Sequence, residues 1–368
     1  MKAEGGALRT DLVLVTGAAG WLGSGLVSAL CRDGPEGLPA DVPWRAPTIR
    51  AMVLPGEEAS ARALGAQLDL VTGDVRRRED GERLCAGARG AVLFHLAGVI
   101  HPRRVRELYQ VNVQGAANVL AAAADAGVRR AVVMSSNSPL GANPHPDHLF
   151  DEESPYHPYM HYGRSKMVLE EQVRALHATG RIETVLVRAP WFYGPFQPPR
   201  QTLFFEMIRD GRAPILGDGS RLRSMTYIGN LTQGLVLAAT VPRASGQTYW
   251  IADRRPYSMN EIVNTVERLL EVEFHQPCRH RRLRLPLVVG AIAELGDHLV
   301  QGLGLYHQKL HVLSEMSKTI ACSIAKAERE LGYAPTVALE EGMRRSLRWL
   351  GERGLLPAGP RRAGESAP

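Results

Sequence analysis

Cysteine is scarce in this 368-residue chain. The four present, Cys31, Cys85, Cys278 and Cys322, are far apart and form no CxxC pair. A zinc knuckle and a disulfide framework are therefore excluded, and no metal is expected. Long apolar runs are missing too. A membrane-spanning helix needs roughly 20 residues; Leu285 to Ala293, the longest candidate, is about half that. The first apolar stretch, Leu12 to Val15, is too short for a signal-peptide core and runs into a glycine-rich turn. The expected location is the cytoplasm. The net charge of +6 is a weak excess for this length, and no aromatics interleave with the basic runs. Nucleic acid is therefore not an expected partner; a small-molecule substrate is. What remains is a globular composition, 45% hydrophobic and 22% charged, sufficient for a sizeable core.

The first half alternates short apolar runs with helical patterns. Strands are predicted at Leu12–Val15, Ile49–Leu54, Leu68–Val71, Ala91–Leu96, Ala131–Ser135 and Thr184–Val187. Helices are predicted at Trp21–Cys31, at Val105–Ala126, which is rich in alanine, and at about Tyr159–Thr179. Such alternation predicts an α/β fold with a parallel sheet. Strands buried on both faces explain why these runs are continuously apolar. Gly34 to Pro47, with four prolines, reads as an inserted loop. We expect a dinucleotide-binding domain over 1–190. A smaller, mostly helical substrate-binding region, interleaved with the sheet, is expected over 191–350, and a disordered tail over 351–368.

Thr16 to Gly23, TGAAGWLG, follows the first strand and opens a helix. Gly17 permits a tight turn, Gly20 lets backbone approach a pyrophosphate, and Gly23 lets the helix pack on the sheet. Trp21 and Leu22 sit at the helix start beside them. Asp74 and Val75, after the third strand, suit contact with an adenine. Leu96, Ala97 and Gly98, after the fourth, let backbone approach the cofactor; His95 reads as structural. The second strand ends without a charge at Leu54, with Glu57 and Glu58 just beyond. This favours NAD over NADP, whose extra phosphate needs a cation. Arg50, then Arg32, are the residues that could supply one.

Tyr162 and Lys166 stand four apart, on one helix face. A free tyrosine ionises near ~10. An ammonium and a positively charged nicotinamide would stabilise its phenolate, and the lysine could hold the nicotinamide ribose. Ser136, at the end of the preceding strand, can bind the substrate oxygen while Tyr162 takes or gives its proton.

These pieces resemble an extended short-chain dehydrogenase/reductase, the superfamily of NAD-dependent epimerases, dehydratases and 3β-hydroxysteroid dehydrogenases. The matching motifs run in family order: TGAAGWLG, GDV at Gly73, HLAG, NVQGAANV at Asn112, MSSNSPLG, YGRSK, VRAPWFYGP, RSMTYIGN at Arg223 and KAERELGYAP at Lys326. The resemblance implies a Rossmann-type doubly wound parallel sheet. It also implies Pro190 at the cofactor, Asn137, Trp191, Tyr193 and Arg223 at the substrate, and a homodimer through helices that include Val105–Ala126. Asn137-Ser138 stand where 4,6-dehydratases carry Asp-Glu, and Trp191 stands where nucleotide-sugar epimerases usually carry Asn. Against this, Arg223 matches the arginine that grips the diphosphate in such epimerases.

The expected function is hydride transfer between NAD(P) and a secondary alcohol or ketone on a mostly apolar substrate. A nucleotide-sugar 4-epimerase is the alternative, and a non-catalytic NAD(P) sensor a third reading. Arg279 to Arg284, ahead of Leu285–Ala293, could rest on an anionic membrane surface; an exposed basic loop leading into a core helix is the expectation.

Overall fold

The computed structural model describes residues 11–356, apart from 33, 41, 43–47, 66 and 67. Of the tail expected over 351–368, residues 351–356 are described and the first of them is helical; 357–368, and part of the Gly34–Pro47 loop, lie outside the described residues. In chain order the first half carries β1 (Leu12–Thr16), α1 (Trp21–Leu30), β2 (Thr48–Val53), α2 (Glu58–Arg62), β3 (Asp69–Thr72), α3 (Arg78–Cys85) and β4 (Val92–His95). There follow α4 (Val105–Tyr109), α5 (Ala116–Asp125), β5 (Arg130–Met134), α6 (Met160–Ala178) and β6 (Glu183–Arg188). The second half holds β7 (Trp191–Tyr193), α7 (Pro199–Arg209), β8 (Pro214–Leu216), β9 (Leu222–Arg223), β10 (Met225–Tyr227), α8 (Ile228–Thr240) and β11 (Thr248–Trp250). It continues with β12 (Tyr257–Ser258), α9 (Met259–Val272), β13 (Leu283–Leu285), α10 (Leu287–Gly302), α11 (Gln308–Glu315), α12 (Ala325–Leu331) and α13 (Leu339–Gly351).

Seven strands form one sheet in the order β11-β6-β5-β4-β1-β2-β3, and each neighbouring pair is parallel. β1, β4 and β5 are buried along their whole length, as their apolar runs require. This is the expected Rossmann-type doubly wound architecture with a largely helical C-terminal region. From β1 the chain winds outward to β2 and β3 on one side and to β4 and β5 on the other. The crevice at the carboxyl ends of β1 and β4 is therefore the switch point where α/β sheets bind ligands. The chain beyond residue 190 returns to the sheet twice. α8 packs on α1 and β5, and β11 pairs with β6 at the sheet edge.

Two expectations need correction. The helix read over Val105–Ala126 is not a regular α-helix: Gln110–Gly115 is a π-helical stretch between α4 and α5. It turns Asn112 inward, where Oδ1 accepts from Val99 N at 2.8 Å and Nδ2 donates to Val99 O at 2.9 Å. The segment following the basic run is not a core helix either. α10 buries Gly290, Ala293, Asp297 and Gln301 but leaves its leucine face in solvent.

Candidate active site

The turn between β1 and α1 is closed so tightly that two of its glycines, Gly17 and Gly23, cannot be replaced. Gly17 has φ +70°, and a Cβ there would lie 2.8 Å from Ala97 N. A Cβ on Gly23 would lie 1.9 Å from the Gly17 carbonyl oxygen. Thr16 couples this turn to β4: its Oγ1 lies 3.0 Å from His95 Nδ1 and accepts from Ala97 N at 3.2 Å. Burial holds His95 far down, at about 3, with Lys166 adding to the effect. A neutral imidazole packed inside the sheet is what its structural reading requires.

Ser136 follows β5, and Tyr162 and Lys166 sit on α6; all three are buried. Gly17, Gly20, Trp21, Leu22 and Gly23 line the same cavity of about 630 Å³ as Ser136, Tyr162 and Lys166. Leu96, Gly98, Asn137, Pro190 and Trp191 line it as well. Lys166 Nζ donates to Met134 O at 3.0 Å. Burial pulls its ammonium down to about 8, although Glu170 acts the other way. Burial pushes the Tyr162 phenol up to about 12, and the nearby Ser136 hydroxyl offsets part of this. From the chain's own residues alone, desolvation thus outweighs the expected lowering by Lys166, whose ammonium is engaged at Met134.

Behind these groups lies a buried polar lattice. Glu170 accepts from Ser135 Oγ at 2.6 Å, Tyr156 OH at 2.6 Å, and Arg188 Nε and Nη2 at 3.0 and 2.7 Å. It ties α6 to the ends of β5 and β6, on which Tyr162, Lys166 and Ser136 depend. Asn112 Nδ2 also lies 3.2 Å from Ser165 Oγ on the same helix.

Five expected residues lie outside the cavity wall. Tyr193 is fully buried, and its hydroxyl donates to Asp253 Oδ2 at 2.7 Å, so it belongs to the core. Arg223 is 1% exposed, donates to the Glu315 carbonyl, and lies with its guanidinium 4.5 Å from the centre of the Trp191 ring. The Asp74 carboxylate is held by Arg76 at 2.5 Å, and Val75 is buried. Neither stands in the cavity wall with the glycine turn and Tyr162. Ala97 is not in the wall either, although its backbone lies against that turn and its N–H donates to Thr16 Oγ1. The sequence reading missed Arg200 on α7 and His311 and Glu315 on α11, which do line the cavity. No motif marks them, because helices far along the chain bring them there.

A family model for the NAD dependent epimerase/dehydratase family matches residues 13–252. The chain belongs to this family. It is 52% identical over 345 residues to the uncharacterised protein y4nL of Sinorhizobium fredii, covering 93% of this chain and 96% of that one. It is 30% identical to a 3-beta-hydroxysteroid dehydrogenase of Mycolicibacterium neoaurum, over 91% of each chain. Among solved structures it resembles DesIV, a dTDP-glucose 4,6-dehydratase from Streptomyces venezuelae with NAD bound. That match has a TM-score of 0.71 at 25% identity, over 93% of this chain and 98% of that one. The chain is thus an NAD-dependent enzyme of the extended short-chain dehydrogenase/reductase type. The glycine turn fits this cofactor: a side chain at Gly17 or Gly23 would strike the backbone of Ala97 or of Gly17 and force open the tight turn on which a pyrophosphate would rest.

Proposed function

We propose that this enzyme transfers hydride reversibly between NAD and a secondary alcohol or ketone on a mostly apolar substrate. The observation that carries this reading is Trp191 lying across Arg223. In a nucleotide-sugar enzyme the corresponding arginine grips a diphosphate. Here its guanidinium is buried behind an indole and is bonded to the Glu315 carbonyl. The cavity wall carries Phe192, Phe204, Met207, Val312 and Met316 together with Trp191, and Arg200, His311 and Glu315 are its charged or polar members. The 3-beta-hydroxysteroid dehydrogenase relative acts, by its name, on a substrate of this kind.

Gly17, Gly20, Trp21, Leu22 and Gly23 would hold the cofactor at the start of α1, where backbone N–H groups face an anion. Leu96, Ala97, Gly98 and Pro190 would flank it, and Asp74 and Val75 would reach its adenine end. When bound, NAD supplies the hydride acceptor and a positive charge beside Tyr162. Ser136 orients the substrate oxygen. Tyr162 removes the hydroxyl proton on oxidation and returns it on reduction. Lys166 keeps the field positive and would hold the nicotinamide ribose. Of the two cations weighed for NADP, Arg50, the better placed, is already engaged. Arg50 is bound to Asp69, Leu84 O and Ala86 O, and Arg32 to Ser28.

The test is NADH consumption by the purified enzyme with apolar cyclic ketones, alongside thermal stabilisation by UDP and TDP. Turnover of a ketone without stabilisation by either nucleotide supports the proposal. Strong nucleotide stabilisation without ketone turnover would move the assignment to a nucleotide-sugar epimerase.

A further inference from the structure

α10 carries Val288, Ile292, Leu295 and Leu299 on one face, with Leu303 continuing the line past its end. Each is between 59 and 79% exposed. Spacings of three and four place them in a single stripe along a helix of 16 residues. The two acids of the helix lie off this stripe: Asp297 is buried against His311, and Glu294 is paired with Lys318. A continuous apolar stripe of this length in water is a mark of an interaction surface. No described helix is long and apolar enough to cross a membrane.

The charge around the stripe says what covers it. Arg279, Arg281 and Arg284, in and just before β13, precede the N-terminal end of α10 and are exposed. At the other end, Val105 N donates to Gly304 O at 3.0 Å, and Arg104 bridges to Leu305. Arg103, Arg104 and Arg106 are thereby brought beside the end of the stripe, and they too are exposed. None of these six arginines has an ion-pair partner among the described residues. A second copy of the chain docked on this face by two-fold symmetry would set arginine clusters against arginine clusters. An anionic bilayer meets both requirements at once: acyl chains for the leucines and lipid phosphates for the arginines.

We infer that α10 and its two arginine clusters form a docking surface for an anionic phospholipid membrane, on which the helix lies in the interfacial plane. The placement has a functional logic. α10 packs on α11, and α11 contributes His311, Val312 and Glu315 to the cavity wall. The docked face therefore sits over the helix that borders the apolar cavity.

The experiment is co-sedimentation of the full-length protein with vesicles of phosphatidylcholine alone and of equimolar phosphatidylcholine and phosphatidylglycerol. Light scattering of the lipid-free protein gives its oligomeric state. The wild type should sediment with the anionic vesicles, and added salt should weaken this. The triple variant Ile292→Ser, Leu295→Ser, Leu299→Ser should lose at least about a hundredfold in vesicle affinity. Arg281→Gln and Arg284→Gln should each lose about fivefold. Because all these side chains are in solvent, circular dichroism and ketone turnover should not change. Three outcomes would overturn the inference: a wild type that ignores anionic vesicles, a triple variant that binds like wild type, or a triple variant that turns a wild-type dimer into a monomer.

Discussion

The guanidinium of Arg223 lies 4.5 Å from the centre of the Trp191 ring, and of the two residues Trp191 alone lines the substrate cavity. One residue thus supplies an apolar wall and shields a buried cation. Trp191→Asn should uncover Arg223. We expect at least about a tenfold fall in kcat/KM for apolar ketones, because an aromatic face no longer packs on the substrate. We also expect new thermal stabilisation by UDP or TDP. Steady-state kinetics and a thermal-shift titration of the variant measure both, and an unchanged kcat/KM would remove Trp191 from the substrate site.

Tyr162→Phe should keep the fold and NAD binding but lose about 10²–10⁴-fold in kcat, the usual worth of a general acid–base group. NAD titration by calorimetry and single-turnover rates separate the two effects. A variant with near-normal turnover would end the assignment.

The pH profile follows from the same phenol. Burial holds it up at about 12, so it is protonated at neutral pH, as ketone reduction requires. Reduction should therefore be flat up to neutral pH and fall in alkali, where Lys166, pulled down to about 8, loses its charge before Tyr162 loses its proton. Alcohol oxidation needs the phenolate and should climb with pH across the alkaline range. Measuring kcat in both directions checks this, and an oxidation rate that falls with rising pH would contradict it.

Glu170 is fully buried and answers to Arg188, Ser135 and Tyr156. Burial alone would raise its carboxyl; the Arg188 guanidinium and these hydroxyls hold it below the ordinary value. A carboxylate depressed on folding stabilises above its unfolded range, and the benefit disappears as pH falls through the folded value. Glu170→Ala strands Arg188 and should cost about 3–5 kcal/mol. Denaturant unfolding should show the gap between variant and wild type closing in acid.

Arg50 is spent on structure. Its Nε donates to Asp69 Oδ2 at 2.6 Å, and its Nη1 to Ala86 O at 2.6 Å. At the tip of β2, Leu54 N and Gly56 N donate to the Glu57 and Glu58 carboxylates, at 3.0 and 2.8 Å. NAD should bind more tightly than NADP, and Arg50→Ala should leave that ratio unchanged. Tighter NADP binding that disappears in the variant would reverse the preference.

The sheet and its switch point were legible because buried parallel strands write themselves as short apolar runs. The glycine turn, Tyr162 and Lys166 were legible because each depends on local spacing. Tyr193 and Arg223 were not. The first is claimed by Asp253, 60 positions on, and the second by Glu315, 92 positions on. Both choices belong to packing between distant segments. The exposed face of α10 was hidden for a similar reason. Its leucines read as core, and only the placement of Asp297 against His311 reveals which side of the helix turns inward.

The late arrival of β11 has a consequence for biosynthesis. β6 ends at Arg188, yet its outer neighbour spans Thr248–Trp250, and α8, which covers α1 and β5, begins only at Ile228. While the ribosome is making the intervening chain, β6 is an open edge and one side of the sheet is bare. The nascent protein must wait some sixty residues before its sheet can be sealed, a window in which chaperones would find the most to hold.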